Sequence, residues 1–203
     1  MAVWFYGSGD DSSTVLRNTG NDLTAEGSLD LPRLEPITER DALPEDKRFI
    51  HDYLVETRGR VSPGFGGILH NPDVAYRIAY LGSHIRFESE LPDNVRELTA
   101  LVASVEMGGV YEQAIHTRDA LPTGVSQATI DAANAKGEMT TATPDEALAV
   151  TFTRELTRTH GVTDATFAAA KARFGDSGVV ELVATASYYS MLAFVHNALL
   201  VGR

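Results

Sequence analysis

The chain has 203 residues, 43% of them hydrophobic, which is enough to bury one core, and it carries 17 Lys and Arg against 28 Asp and Glu for a formal net charge of −11. That balance repels phosphate backbones and anionic lipid headgroups, so nucleic acid and membrane partners are not expected. With no Cys, disulfides, thiolate nucleophiles, Cys-ligated zinc and iron–sulfur clusters are excluded.

Residues 1–43 are rich in Gly, Asp, Ser, Thr and Pro and read as an irregular N-terminal arm, with an aromatic cluster (Val3, Trp4, Phe5, Tyr6) expected to pack on the domain or on a neighbour. The start of the chain lacks the basic and apolar regions of a signal peptide, and no uncharged apolar run reaches roughly 18 residues, so the expected location is cytoplasmic.

From Pro44 to the end, 44–203, the pattern is helical. Pro44 opens a helix with Ile50, Tyr53 and Leu54 on one face, closed by Gly59. Residues 63–67 read as a flexible Gly-rich loop, since no strand and helix follow in the manner of a phosphate-binding signature. Asn71 and Pro72 supply an N-cap and a first-turn proline for a helix whose stripe Val74, Ile78, Leu81 and Ile85 is expected in the core. A third helix starts near Asp93, carries Val95, Leu98, Leu101, Val102 and Val105, and breaks at Gly108-Gly109. A new helix begins near Tyr111, Ser126 caps a short one, and Thr143 to Glu146 forms a capping box with proline in the first turn. Thr163 or Asp164 caps the next, which Gly175 ends. Residues 179–201 form a last helix apolar on most of its circumference, so part of it is expected to face another subunit. No strand pattern is found, and the fold class is all-α.

The chemistry-bearing stretch is Arg96-Glu97-Leu98 together with Tyr111-Glu112-Gln113-Ala114-Ile115-His116. Glu112 and His116 are four apart, so on a helix they share a face and can share a proton. The diglycine break lets Glu97 fold alongside them. A bland alternative is a helix-surface ion pair worth about 0.2–0.5 kcal/mol. One His with two carboxylates is also a known metal-ligand set, though no second His stands at ligand spacing. His70, His84 and His160 fall at helix ends or on polar faces, Tyr188-Tyr189 and His196-Asn197 read as core or interface packing, and Arg86 can pair with Glu88 or Glu90.

The spacing around these residues resembles the carboxymuconolactone decarboxylase and alkylhydroperoxidase-D superfamily. In its redox branch a Glu precedes the first Cys of a Cys-x-x-Cys pair by twelve residues, and a His follows the second by four. Those positions fall here on Glu97, Gly109, Glu112 and His116, so the relay residues match and both thiols are missing. The decarboxylase branch resembles Glu-x-x-x-His followed by Asp119-Ala120-Leu121-Pro122-Thr123-Gly124. Further pieces, among them LPRLEPITERDALPEDKR, GILHNPDVA, LPDNVREL, VTDATFAAAKARFG and VELVATASYYSMLAFVHNAL, extend the resemblance over 31–203.

The resemblance implies an alkylhydroperoxidase-D-like helical fold, a helical hairpin carrying the site, and a homo-oligomer, a trimer or hexamer. It implies acid–base chemistry without cofactor or metal on a small carboxylated or lactone-like substrate, decarboxylation first, and no thiol peroxidase activity. His116 is then expected to donate or accept the proton, with Glu112 orienting it and Glu97 relaying, while Arg86, Arg96 and Tyr111 bind substrate. An isomerase or hydratase on the same scaffold, or a non-catalytic binding or scaffold protein, are the alternatives.

Overall fold

The computed structural model describes residues 31–201. The aromatic cluster near the N-terminus lies outside them. Eight α-helices follow in chain order: α1 (Arg48–Arg58), α2 (Pro63–Ile68), α3 (Pro72–Ser83), α4 (Asp93–Glu106), α5 (Val110–Ala120), α6 (Gln127–Asn134), α7 (Pro144–Thr159) and α8 (Asp164–Leu199). Among the described residues there is no strand.

The capping chemistry sets most boundaries. Asn71, Ser126 and Thr163 each accept a hydrogen bond from a first-turn amide, and Thr143 with Glu146 forms the expected reciprocal box. Gly59 ends α1 in the left-handed region, and Gly175, at φ 74°, kinks α8 where the sequence reads a break.

Helix α4 is the axis of the molecule. Its residues Leu98, Leu101, Val102 and Val105 pack with Val125, Ile130 and Val150 of the α6 and α7 side. Val95 joins Phe152 and Leu182, and Ala100 and Ala103 face Leu54, Phe65 and Leu192. All three apolar clusters therefore meet on one helix, and no face of it is left for solvent except at its ends.

Two expectations are corrected. The Gly-rich segment 63–67 lies in helix α2, capped by Ser62 and buried from Gly64 onward. Its glycines serve close approach: a side chain on Gly66 would meet Pro36, and one on Gly67 would meet Leu199. On α3 the buried face is the small one, Ala75, Ala79 and Gly82, whereas Val74 and Leu81 are exposed. Close packing against Arg58 and Tyr188 at Gly82 rotates the larger residues outward. The described part of the arm packs on the domain: Leu43 is buried, Ile37 packs on the same cluster, and Arg33 N–H donates to Leu199 O.

Helix α8 is long and apolar enough to cross a membrane by length and composition, yet 56% of its most apolar stretch is buried inside the molecule. The carboxylate of Glu181, midway along it, accepts hydrogen bonds from Ser89 Oγ and the amides of Glu90 and Leu91. It is a core helix with an unpaired side: Val180, Val183 and Phe194 are exposed.

The α4–α5 turn makes a close contact with α8. Gly108 has φ 66°, Gly109 N–H donates to Ser104 O, and a Cβ on Gly109 would stand 2.5 Å from the Ala193 Cβ. Gly109→Ala should therefore cost about 1–3 kcal/mol by overpacking, read as a lower thermal midpoint. An unchanged midpoint would show that the hairpin and α8 are not in this contact.

Candidate active site

The diglycine turn folds α5 back on α4 and brings Glu97, Glu112 and His116 together. His116 Nδ1 is 2.7 Å from Glu97 Oε2, and its Nε2 is 3.6 Å from Glu112 Oε2. The other oxygen of Glu112, Oε1, lies 3.2 Å from His196 Nδ1 at the end of α8. Four side chains from three helices thus form one row, carboxylate, imidazole, carboxylate, imidazole. All are buried, with His116 2%, His196 3%, Glu112 6% and Glu97 9% exposed.

The electrostatics of the row are cooperative. Burial would raise the Glu112 carboxyl, but His116 and His196 outweigh it and hold it at about 2. Its place in the first turn of α5 adds the favourable helix N-terminus. Burial likewise opposes ionisation of Glu97, and His116 and Arg96 reverse that and lower it. Burial disfavours a charged His116, yet the two carboxylates raise it above an ordinary histidine. Each nitrogen of His116 faces a different carboxylate, so the trio does not converge on one point; among the described residues no group of acids and histidines is arranged to hold a metal ion.

Beside the row lies a cavity of about 440 Å³. Its inner wall is Glu112, His196, Tyr188, Tyr189, Leu192 and Phe65, and four arginines, Arg58, Arg60, Arg86 and Arg118, reach it from the sides. Against them stand the two carboxylates Glu112 and Asp119, so the cavity is cationic in a chain of net charge −11. Arg58 is fixed by donating to Ala79 O at 2.7 Å and to Ser83 Oγ, and it sits over the Phe65 ring. Arg86 rises from a π-helical turn, His84–Glu88, which re-aims it into the cavity. Burial pushes the Tyr188 and Tyr189 phenols upward, so both are neutral hydroxyl groups at physiological pH.

The expected site residues divide accordingly. Tyr111, Arg86 and Glu112 line the cavity. His116 and Glu97 stand behind Glu112, and His116 packs edge-on against the Tyr189 ring instead of opening to the cavity. Arg96, expected to bind substrate, pairs with Asp93 at 2.6 Å and with Glu97 at 3.6 Å and does not line this cavity. Arg86 lines the cavity in place of the surface pairing with Glu88 or Glu90. His196, Tyr188, Tyr189 and Arg58 were read as packing or passed over, and all four line it. The signal available was the spacing Tyr189, Leu192, His196, which sets an aromatic, an aliphatic and an imidazole on one stripe of α8.

The segment 72–155 matches the model of the carboxymuconolactone decarboxylase family. Among solved structures, the chain is similar to an alkylhydroperoxidase AhpD core, an uncharacterized peroxidase-related protein from Ralstonia eutropha JMP134, with TM-score 0.69 and 19% identity over 82% of this chain and 89% of that one. Part of this cysteine-free chain is thus similar to the carboxymuconolactone decarboxylase family, and its fold is similar to that of the alkylhydroperoxidase AhpD core. A peroxidase-related protein from Silicibacter sp. TM1040 shares the fold at TM-score 0.64 and 18% identity, covering 85% of this chain and 88% of that one. The debrominase Bmp8 does so at TM-score 0.63 and 17% identity, covering 81% and 88%, and a variant of it is known in complex with a tribromopyrrole. No curated protein matches the chain. At these identities the structural likeness shows the fold alone.

The buried row makes stability depend on pH in a defined way. Glu112, held at about 2 against an ordinary 4.5, contributes stability that is complete above 4.5 and lost as pH falls toward 2. His116, raised above its ordinary 6.5, contributes stability that is complete below 6.5 and lost as pH rises through its elevated value. The thermal midpoint of the wild type relative to His116→Gln should therefore be most favourable between about pH 5 and 6.5 and decline on the alkaline side. A difference independent of pH from about 5 to 9 would show that His116 carries no proton in the fold.

Proposed function

We propose that the protein is an enzyme of acid–base chemistry, independent of thiols and of any cofactor, that acts on a small carboxylated or lactone-like substrate, with decarboxylation as the first reaction to test. One observation carries this reading: a buried carboxylate, Glu112, stands in the wall of a cationic cavity and is backed by an imidazole and a second carboxylate. Removing carbon dioxide from an acid leaves an electron pair on the substrate, conjugated with a carbonyl, that must be protonated at carbon. A row that holds protons in reserve supports that step. The arginines support binding of the carboxylate that leaves and stabilisation of charge on the oxygen that stays.

The cavity volume suits a small organic acid. Arg58 and Arg86 stand deep enough to hold a carboxylate, while the exposed Arg60 and Arg118 at the mouth draw anions toward it against the negative field of the rest of the surface.

Pyruvate, oxaloacetate and a butyrolactone carboxylate, incubated in deuterated water and followed by nuclear magnetic resonance, report loss of carbon dioxide and exchange at carbon. Glu112→Gln should slow whichever reaction is seen by about 10²-fold or more, and His116→Gln by less, because His116 acts through Glu112. That order reverses the one expected from the sequence. Full activity in Glu112→Gln, or no acceleration of any of these acids by the wild type, would overturn the reading.

A homo-oligomer is part of the same proposal. The exposed apolar side of α8 (Val180, Val183, Phe194) and of α3 (Val74, Tyr80, Leu81) supports it, because apolar surface of this extent is costly in a monomer. Light scattering at micromolar concentration should give a mass above the 21.9 kDa of one chain, with a trimer or hexamer expected. A monomer would refute it.

A further inference from the structure

We propose that Glu181, on α8, is a positioning residue for Arg86: it clasps both ends of the π-helical turn His84–Glu88 and so fixes the guanidinium that takes the substrate's carboxylate. The inference rests on the reading of the cavity as the site of a small acid, and it names the residue that presents an anion-binding arginine there.

Arg86 does not hold its own position. It lines the cavity with its guanidinium over the ring of Phe87, 5.4 Å from the centroid, and among the described residues it makes neither an ion pair nor a hydrogen bond. Phe87 is its exposed neighbour in the chain and anchors nothing. Arg58 differs, since it is tied to Ala79 O and to Ser83 Oγ. The place of the Arg86 guanidinium is therefore decided by its backbone. That backbone is π-helical, a rare conformation, so the contacts around the turn must select it.

Glu181 supplies those contacts from a buried position. Its Oε1 lies 3.2 Å from Nε2 of His84, the first residue of the turn. Its Oε2 accepts from Ser89 Oγ at 2.6 Å and from the amides of Glu90 and Leu91 at 2.9 and 3.2 Å, just past the last residue of the turn. Leu91 is buried with Val179 and Leu182, which seats this segment on α8. Before the turn, Ser83 Oγ accepts from Tyr53 and Arg58, and across it His84 Nδ1 is 3.6 Å from Glu88 Oε2.

The carboxylate is the group this clasp needs. Ionised, it offers acceptor sites on two oxygens, and here each oxygen serves one end of the turn. An amide would keep one acceptor and set its own N–H donors against the donors at the other end. Burying a carboxylate is costly, and the return is an arginine placed before the ligand arrives, which lowers the ordering cost of binding.

A double-mutant cycle on binding tests this, because a residue that acts through Arg86 loses its effect once Arg86 is gone. The probe is the butyrolactone carboxylate, titrated by nuclear magnetic resonance, with circular dichroism and the thermal midpoint recorded for each variant. Arg86→Gln should weaken binding by about tenfold or more, through loss of a charge-assisted contact. Glu181→Gln should weaken it by about threefold or more, and the double variant should bind within about twofold of Arg86→Gln alone. Losses that multiply in the double variant, or a Glu181→Gln protein that binds like the wild type, would overturn the proposal and leave the reading of the cavity standing. No binding by the wild type, or Arg86→Gln binding as tightly as the wild type, would overturn the acid-binding reading and this inference with it. Should Glu181→Gln fail to fold, His84→Ala and Ser89→Ala each remove one partner of the carboxylate and carry the same cycle. Each should weaken binding by about twofold or more beside Arg86 and change nothing in the Arg86→Gln background, and any other result would overturn the proposal.

Discussion

The ion row from Glu97 to His196 is the interaction on which the rest of the structure depends. Taking charged groups out of water costs several kcal/mol per ion, repaid only where partners are close and the remaining polar atoms are met. Here the partners come from three helices, so the cost is met only when α4, α5 and α8 stand in one arrangement. The Gly108-Gly109 turn provides it: the positive φ of Gly108 reverses the chain, and the bare Gly109 lets α5 press on Ala193. Asn197 Nδ2, donating to Gly108 O at 3.1 Å, ties the same turn to the end of α8.

That turn also bears on why no thiol stands here. The resemblance assigns two thiols to Gly109 and Glu112. At the first position no side chain fits without moving Ala193, and at the second the sulfur is replaced by a carboxylate between two imidazoles. The flanking Glu97 and His116, which in the redox branch lie at relay positions, keep that place here.

Much of the fold was legible because helix ends are written in local chemistry. Asn71-Pro72, Ser126, the Thr143 box, Thr163 and Gly175 each act within one turn, so their reading needs no tertiary knowledge. The errors arose where contact decides. Residues 63–67 look like a loop by composition, yet each glycine there is a point of close approach, which only the neighbours Pro36, His196 and Leu199 reveal. On α3 a large-residue stripe and a small-residue stripe compete for the core, and the small one wins because Tyr188 and Arg58 come too close for anything larger at Gly82. In the site, Glu112 with His116 was visible from spacing, and Glu97 from the resemblance. His196 was not, since it lies far along the chain from the hairpin and its surroundings on α8 are apolar. Arg96 drew attention by its nearness in sequence to Glu97, but the helix turns it toward Asp93, while Arg58 arrives from α1.

Helix α8 carries three demands at once, and its composition follows from them. One side must be small or aliphatic to meet its neighbours, as at Leu182 and Ala186 in the apolar clusters and at Ala193 against the α4–α5 turn. The adjoining stripe must be aromatic and polar to wall the cavity, as at Tyr188, Tyr189 and His196. The remaining side is apolar and exposed at Val180, Val183 and Phe194, which chemistry at the cavity does not require. A helix that is apolar all round gives sequence reasoning no single face to assign, so burial, site and surface merge into one signal. They separate only when the charged row is placed, because Glu112 on α5 can meet just one stripe of α8, and that stripe ends in His196.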